Sequence, residues 1–179
     1  TNPAIDHIRE GLVMSLMAFV GREGNLLEET PEHCKRLKLK HPILTNQDLN
    51  TIINSKKESL KSVVIPCFFK VADGHKGLEV ALDHVFATAS KEIENGASFI
   101  ILSDKEADKD NVPIPILLAS SGLHQHLIRT GQRSLAGIFV ETGEAREVMH
   151  FALLIGYGVN AINPYLAFDI NVMGTLNLI

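Results

Sequence analysis

Between Ser134 and Asp169 the chain reads SLAGIFVETGEAREVMHFALLIGYGVNAINPYLAFD. A short apolar run ends at Glu141, a Thr142-Gly143 turn follows, and then an amphipathic stretch stops at a glycine. A second short apolar run ends at Asn163-Pro164-Tyr165. That order is a strand–helix–strand unit. Two such strands joined by a helical crossover are parallel and lie in one sheet. The unit therefore commits the chain to an α/β architecture with polar groups at the carboxyl ends of its strands, the edge where ligands of such sheets collect.

The same alternation extends upstream. Ser62 to Phe69, SVVIPCFF, has the β-branched character of a buried strand, with Pro66 arguing against a place in the middle of a ladder. Leu78, Ala81, Leu82, Val85, Phe86, Ala89 and Ile93 recur at helical spacing, and Gly96 ends that helix. Ala97 to Leu102 predicts the next strand, closing on Ser103-Asp104. The charged segment KEADKDNVPIP reads as a loop, and helix Ile116 to Arg129 stops at Thr130-Gly131. Strand Leu135 to Val140, helix Ala145 to Ile155 and strand Val159 to Ile162 complete the series.

Roughly four strands are too few to close an eight-stranded barrel. The expectation is an α/β fold of parallel β/α units in an open or partial barrel, or a small doubly wound sheet.

Residues 1–61 read differently from this body at 62–179. Ile5, Ile8, Leu12, Leu16 and Val20 predict a helix stopped by Gly21. Gly21 to Leu44 is polar and broken by Pro31 and Pro42, an irregular excursion packed on the body. Thr45 to Ile53 predicts a short helix capped by Thr45 or Asn46. Within 179 residues this makes one domain. The start TNPAID and the apolar finish NLI suggest a piece of something longer.

Composition removes several classes of function. A net charge of −4 leaves no electrostatic footprint for nucleic acid, and the basic stretch Ser55 to Lys61 is interrupted by Glu58. Two cysteines, Cys34 and Cys67, without a C-x-x-C spacing, speak against a disulfide framework or thiolate metal cluster and for a reducing compartment. No apolar run reaches the length of a membrane span.

The candidate chemistry is thin. His124 and His126 invite a metal reading, but residues two apart on a helix point about 200° from each other. They read as packing or interface hydrogen-bonding groups. At the strand ends, Glu141 or Asp104 would serve as base or ligand in an enzyme. Read structurally instead, Thr142 caps the following helix, Glu144 suits its positive end, and Arg146 and His150 decorate one flank. Asn163, held extended by Pro164, shapes a surface. Neither G-x-G-x-x-G, G-x-x-x-x-G-K-[ST] nor G-x-S-x-G occurs.

The segments TNPAIDHIREGLVMSL, GNLLEETPEHCKRLKLKHPIL, IPILLASSGLHQHLIR and VETGEAREVMHFALLIGYGVNAINPYLAF, in this order, resemble the central domain of the glutamate synthase large chain. The chain departs from the family pattern at Gln125 and Met149, where a histidine is common. The resemblance implies a parent oxidoreductase that makes two glutamates from glutamine and 2-oxoglutarate. Its partner domains would be an amino-terminal amidotransferase and a synthase domain carrying flavin mononucleotide (FMN) and an iron–sulfur cluster. An electron-donating subunit or ferredoxin would supply the electrons.

The resemblance further implies a central domain with the topology of the flavin barrel but without its flavin, holding no cofactor or metal and inactive alone. It would connect the two active sites and line part of the ammonia channel. Residues implied for the channel or its domain boundary are Thr1, Asn2, Pro3, Arg9, Glu10, Glu141, Thr142 and Asn163. The implied location is the cytoplasm, or the plastid stroma in a photosynthetic source. A free-standing small-molecule enzyme and a pure interdomain scaffold stay open as other readings.

Overall fold

The computed structural model describes residues 16–25 and 27–167. Its centre is a four-stranded parallel sheet of β3 (Ser62–Pro66), β5 (Phe99–Ser103), β7 (Gly137–Glu141) and β8 (Ala161–Asn163), lying side by side in that order. Between them run α2 (Gly74–Glu94), α3 (Ile116–Arg129) and α4 (Val148–Gly156). Strands adjacent in space follow one another in the chain, so the winding never reverses and the sheet is not doubly wound.

Side-chain alternation divides the core in two. Ile65, Ile100, Leu102, Ile138, Val140 and Ile162 face one way and meet Val85, Ala89 and Ile93 of α2, Ala119, Leu123 and Leu127 of α3, and Leu154 of α4. All three crossover helices therefore cover the same face. The intervening residues Phe99, Ile101, Phe139 and Ala161 face the other way, with the Phe99 and Phe139 rings stacked at 5.0 Å between centroids. Strands buried on both faces need apolar residues at nearly every position, which is why these segments read as continuous runs.

The amino-terminal part supplies the cover for that second face. β1 (Ala18–Val20) and β2 (Leu37–Leu39) form an antiparallel pair, and α1 (Asn46–Ile53) follows. Val20, Leu39, Leu44 and Leu49 pack onto Phe99, Ile101 and Phe139. A helix running to Val20 is thus corrected, since Ala18–Val20 is a strand; the helical positions before Leu16 lie outside the described residues. The excursion is also more than a surface decoration, because Leu39 and Leu44 belong to the core. Thr45 caps α1 as expected, its hydroxyl accepting from the Asp48 amide while the Asp48 carboxylate accepts from the Thr45 amide.

Pro66 proves compatible with its strand because β3 is the sheet edge. The other edge is covered: Leu44 N donates to Ile162 O and Ile162 N to Pro42 O, each at 2.8 Å. The charged segment after Asp104 is not simply a loop. It contains β6 (Asn111–Pro113), which pairs with β4 (Phe68–Lys70) in an antiparallel ribbon.

Candidate functional site

Parallel register brings the strand ends together. Ser103 stands opposite Glu141, and Glu141 opposite Asn163. These three share a face with Phe99 and Phe139, because each lies an even number of residues along its strand from that layer. Ser103 Oγ donates to Glu141 Oε2 at 2.7 Å, and Lys105 Nζ donates to Glu141 Oε1 at 2.9 Å. Glu141 is 8% exposed, so its charge is matched inside the domain by one cation and one hydroxyl.

One residue further along, on the helix side, a second row forms. Asp104, only 4% exposed, accepts from the Thr142 hydroxyl at 2.5 Å, the Gly143 amide at 3.1 Å and the Tyr165 hydroxyl at 2.8 Å. Burial and then this bond to a carboxylate push the Tyr165 phenol well above its ordinary range. Tyr165 opens the single helical turn α5 (Tyr165–Ala167), just after Pro164. Lys105 stands 5.8 Å from the centre of its ring.

The expected cap of α4 is corrected here. That helix begins at Val148 rather than Ala145, so Thr142 is too far away to cap it. Thr142 Oγ1 instead accepts from the Glu144 amide, and Glu144 Oε2 accepts from Ile116 N at 3.1 Å. Glu144 thus serves the positive end of α3, where Pro115 offers no capping side chain. At α4 itself the His150 ring Nδ1 accepts from the Arg146 and Glu147 amides. The Arg146 guanidinium donates to Gly143 O.

Asn163 differs from its neighbours. It is fully buried; its amide Nδ2 donates to Leu44 O at 3.0 Å and Asn46 Oδ1 at 2.9 Å. Its Oδ1 is the one buried side-chain polar atom without a partner among the described residues. Exchanging the amide's ends would turn an acceptor toward the Leu44 carbonyl, so the geometry leaves Oδ1 as the free end.

At the amino edge the sheet is pinned by Arg133, which donates to His124 Nδ1 at 2.8 Å, Ala136 O at 3.0 Å and Gly158 O at 2.8 Å. His126 pairs with Ser90 Oγ at 2.9 Å and stacks on Phe86. The two histidines thus serve different neighbours. Clefts of about 470 and about 730 Å³ open at this edge, beside Gly137 and Asn160 in one case and Gly96 and Ser98 in the other.

Of the residues singled out in the sequence, Glu141, Thr142, Asn163 and Asp104 come together. Thr1, Asn2, Pro3, Arg9 and Glu10 lie outside the described residues. Ser103, Lys105, Tyr165 and Asn46 escaped sequence reasoning. Ser103 carried a signal, since it closes its strand two places after Ile101 and so shares the inner face; Asn46 reads only as a candidate helix cap, and Lys105 carried none.

Among the described residues the donor sets do not fit the cofactors expected of the parent. Cys67 is buried and its thiol is pushed up to about 12 by desolvation, Cys34 is exposed, and the described residues include no group of three His, Cys, Asp or Glu able to hold a metal. The strand-end amide of Gly143, which could face a phosphate, is spent on Asp104.

Fold and site together define a class: a singly wound parallel β/α domain whose strand-end carboxylates are bound by its own side chains. Within that class the chain belongs to the glutamate synthase central domain family, whose model matches residues 1–176. It is 49% identical to the glutamate synthase [NADPH] large chain of Bacillus subtilis (strain 168), over 94% of this chain and 11% of that protein. The ferredoxin-dependent glutamate synthase of Pyropia yezoensis is 43% identical, over 94% of this chain and 11% of its own length. The glutamate synthase [NADH] of Saccharomyces cerevisiae is 41% identical, over 94% and 8%. The chain thus spans about a tenth of the length of the curated relatives it matches. No helix among the described residues is long and apolar enough to cross a membrane.

Proposed function

We propose that this domain is a non-catalytic connector in a glutamate synthase chain, joining glutaminase and synthase domains and lining part of the path along which ammonia passes between them. The parent reaction, the FMN and iron–sulfur cluster of the synthase domain and the electron donor belong to this reading. So do kinship with the flavin barrel and a cytoplasmic or stromal location. Strands in chain order with all three crossover helices on one face are the local arrangement of a β/α barrel wall, which supports the kinship.

The observation that carries the reading is Asn163 Oδ1. Among the described residues it is a buried, neutral, unpaired acceptor beside strand-end carboxylates that are already matched. A neutral amine needs an acceptor for its N–H and must avoid an unpaired acid that would trap it as ammonium. A carboxylate free to act as base would instead have favoured a self-contained enzyme, but Asp104 and Glu141 are held by three and two side-chain or amide donors respectively. The relatives matched over the same span carry NADPH, ferredoxin or NADH in their names, which supports placing the choice of electron donor in another domain.

The test is the ratio of glutamine hydrolysed to glutamate formed by the full-length chain. Asn163→Leu is expected to raise that ratio, with ammonia appearing in the medium. An unchanged ratio in a folded, active variant would refute the channel role. Lost assembly with an unchanged ratio would identify a pure scaffold, and glutaminase turnover or stoichiometric FMN binding by the domain alone would defeat the connector reading altogether.

A further inference from the structure

Helix α4 reads VMHFALLIG, with no charged residue and only His150 polar. A helix apolar all round belongs in an interior. Yet of its nine residues only Leu154 is buried, whereas α3 buries Ile116, Ala119, Ser120, Leu123 and Leu127. Val148 is 86% exposed and Met149 60%, and Leu153 and Ile155 are each 39% exposed. At helical spacing Met149, Ala152, Leu153 and Gly156 fall within one arc of roughly 100°, facing away from Leu154. An apolar strip of this kind on a soluble domain marks a contact surface.

The topology says where its cover is missing. Each crossover helix of the series lies beside the previous one, α3 between α2 and α4, and α4 is the last among the described residues. The strand layer beyond β8 is already closed by Pro42–Leu44, so the gap lies in the helix layer alone. The last described residues lie at the same level. After β8 the chain turns at α5, where Leu166 packs against Gly143, at the carboxyl edge from which α4 itself descends.

We infer that the exposed face of α4 is the docking surface for an apolar helix from the polypeptide that follows this domain in the longer chain. A segment of the same chain meets the face at an effective concentration in the millimolar range, far above that of a second copy in solution. The inference rests on the reading that the domain works inside a longer chain. It adds which side of the domain that chain covers and which part of it does so.

The experiment places the photo-cross-linking residue p-benzoylphenylalanine at Met149, and separately at Leu153, in the full-length chain, and maps the products by mass spectrometry. An equal mixture of isotopically light and heavy chains separates intramolecular from intermolecular links. The expected result is cross-links to polypeptide following the domain, about tenfold or more in excess of intermolecular ones. Links chiefly to polypeptide preceding the domain, links between light and heavy chains, or photoproducts with solvent alone would each overturn it. Glutamate formation by the same preparations is read separately. Synthesis without downstream cross-links defeats this inference alone, whereas absence of synthesis in the unmodified chain defeats the reading beneath it.

Discussion

Ser103 and Glu141 are paired in register across two parallel strands and joined again through their side chains, hydroxyl to carboxylate at 2.7 Å. The double link makes the carboxyl edge of the sheet a closed polar seam. Lys105 completes the charge balance on one side, and the Asp104–Thr142–Tyr165 set continues the seam on the other.

Removing the acceptor at the centre of that set should be costly. Asp104→Ala leaves the Thr142 hydroxyl, the Gly143 amide and the Tyr165 hydroxyl without their common partner. The expected loss is roughly 2–4 kcal/mol, because stranded buried donors keep their desolvation penalty. Asp104→Asn, which keeps one acceptor oxygen, should lose less. Urea unfolding measures both, and a change near zero for the alanine variant would show that the set is ornamental.

Docking of the amino-terminal strands depends on Gly137. A Cβ there would stand 2.3 Å from Val20 Cγ1 and 3.3 Å from Phe99 Cδ1. Gly137→Ala should therefore destabilise by about 1–3 kcal/mol, and Val20→Ala in the same chain should recover part of the loss. Denaturation midpoints of the two single variants and the double variant form the cycle, and simple additivity would contradict the contact.

His124 gives stability a dependence on pH. Burial, and then the charge of Arg133, hold its imidazole below the ordinary value, so the unfolded chain takes up the proton first. The contribution is fully present above the unfolded value of about 6.5 and is lost as pH falls from there through the lowered folded value. The urea midpoint should drop as pH falls below about 6.5, and His124→Gln should flatten that drop. An equal slope in the variant would assign the titration elsewhere.

The two thiols should separate cleanly. Cys67 is fully buried with its thiol pushed up to about 12, while Cys34 is exposed. Because the thiolate is the reactive form, a thiol-specific disulfide reagent at mildly alkaline pH should modify Cys34 alone in the folded protein. Cys67 should follow only on unfolding. Prompt reaction of both would contradict the packing around β3.

Much of the fold was legible because local patterns and long-range packing agree. α3 spans Ile116–Arg129 as its sequence periodicity indicates, and α1 carries the cap its Thr45 advertises. Disagreement came where a partner distant in sequence took over. Ala18–Val20 is extended because Leu37–Leu39 offers a ladder and the Phe99–Phe139 face offers burial, neither of which a helical spacing of apolar residues can reveal. Spacing along the chain makes the hydroxyl of Thr142 a local cap, but a carboxylate 38 residues earlier in the chain holds it.

The sequence by itself determined the alternation of strands and helices, the polar endings of the strands and the family, since these rest on periodicity, turn residues and motif order along the chain. Only the tertiary structure decided what those endings do. Parallel register sets Ser103, Glu141 and Asn163 abreast, spends the carboxylates on nearby donors and leaves the Asn163 side-chain carbonyl unpaired among the described residues. Whether a buried polar group is matched depends on neighbours brought from other strands, and spacing along one strand does not contain them.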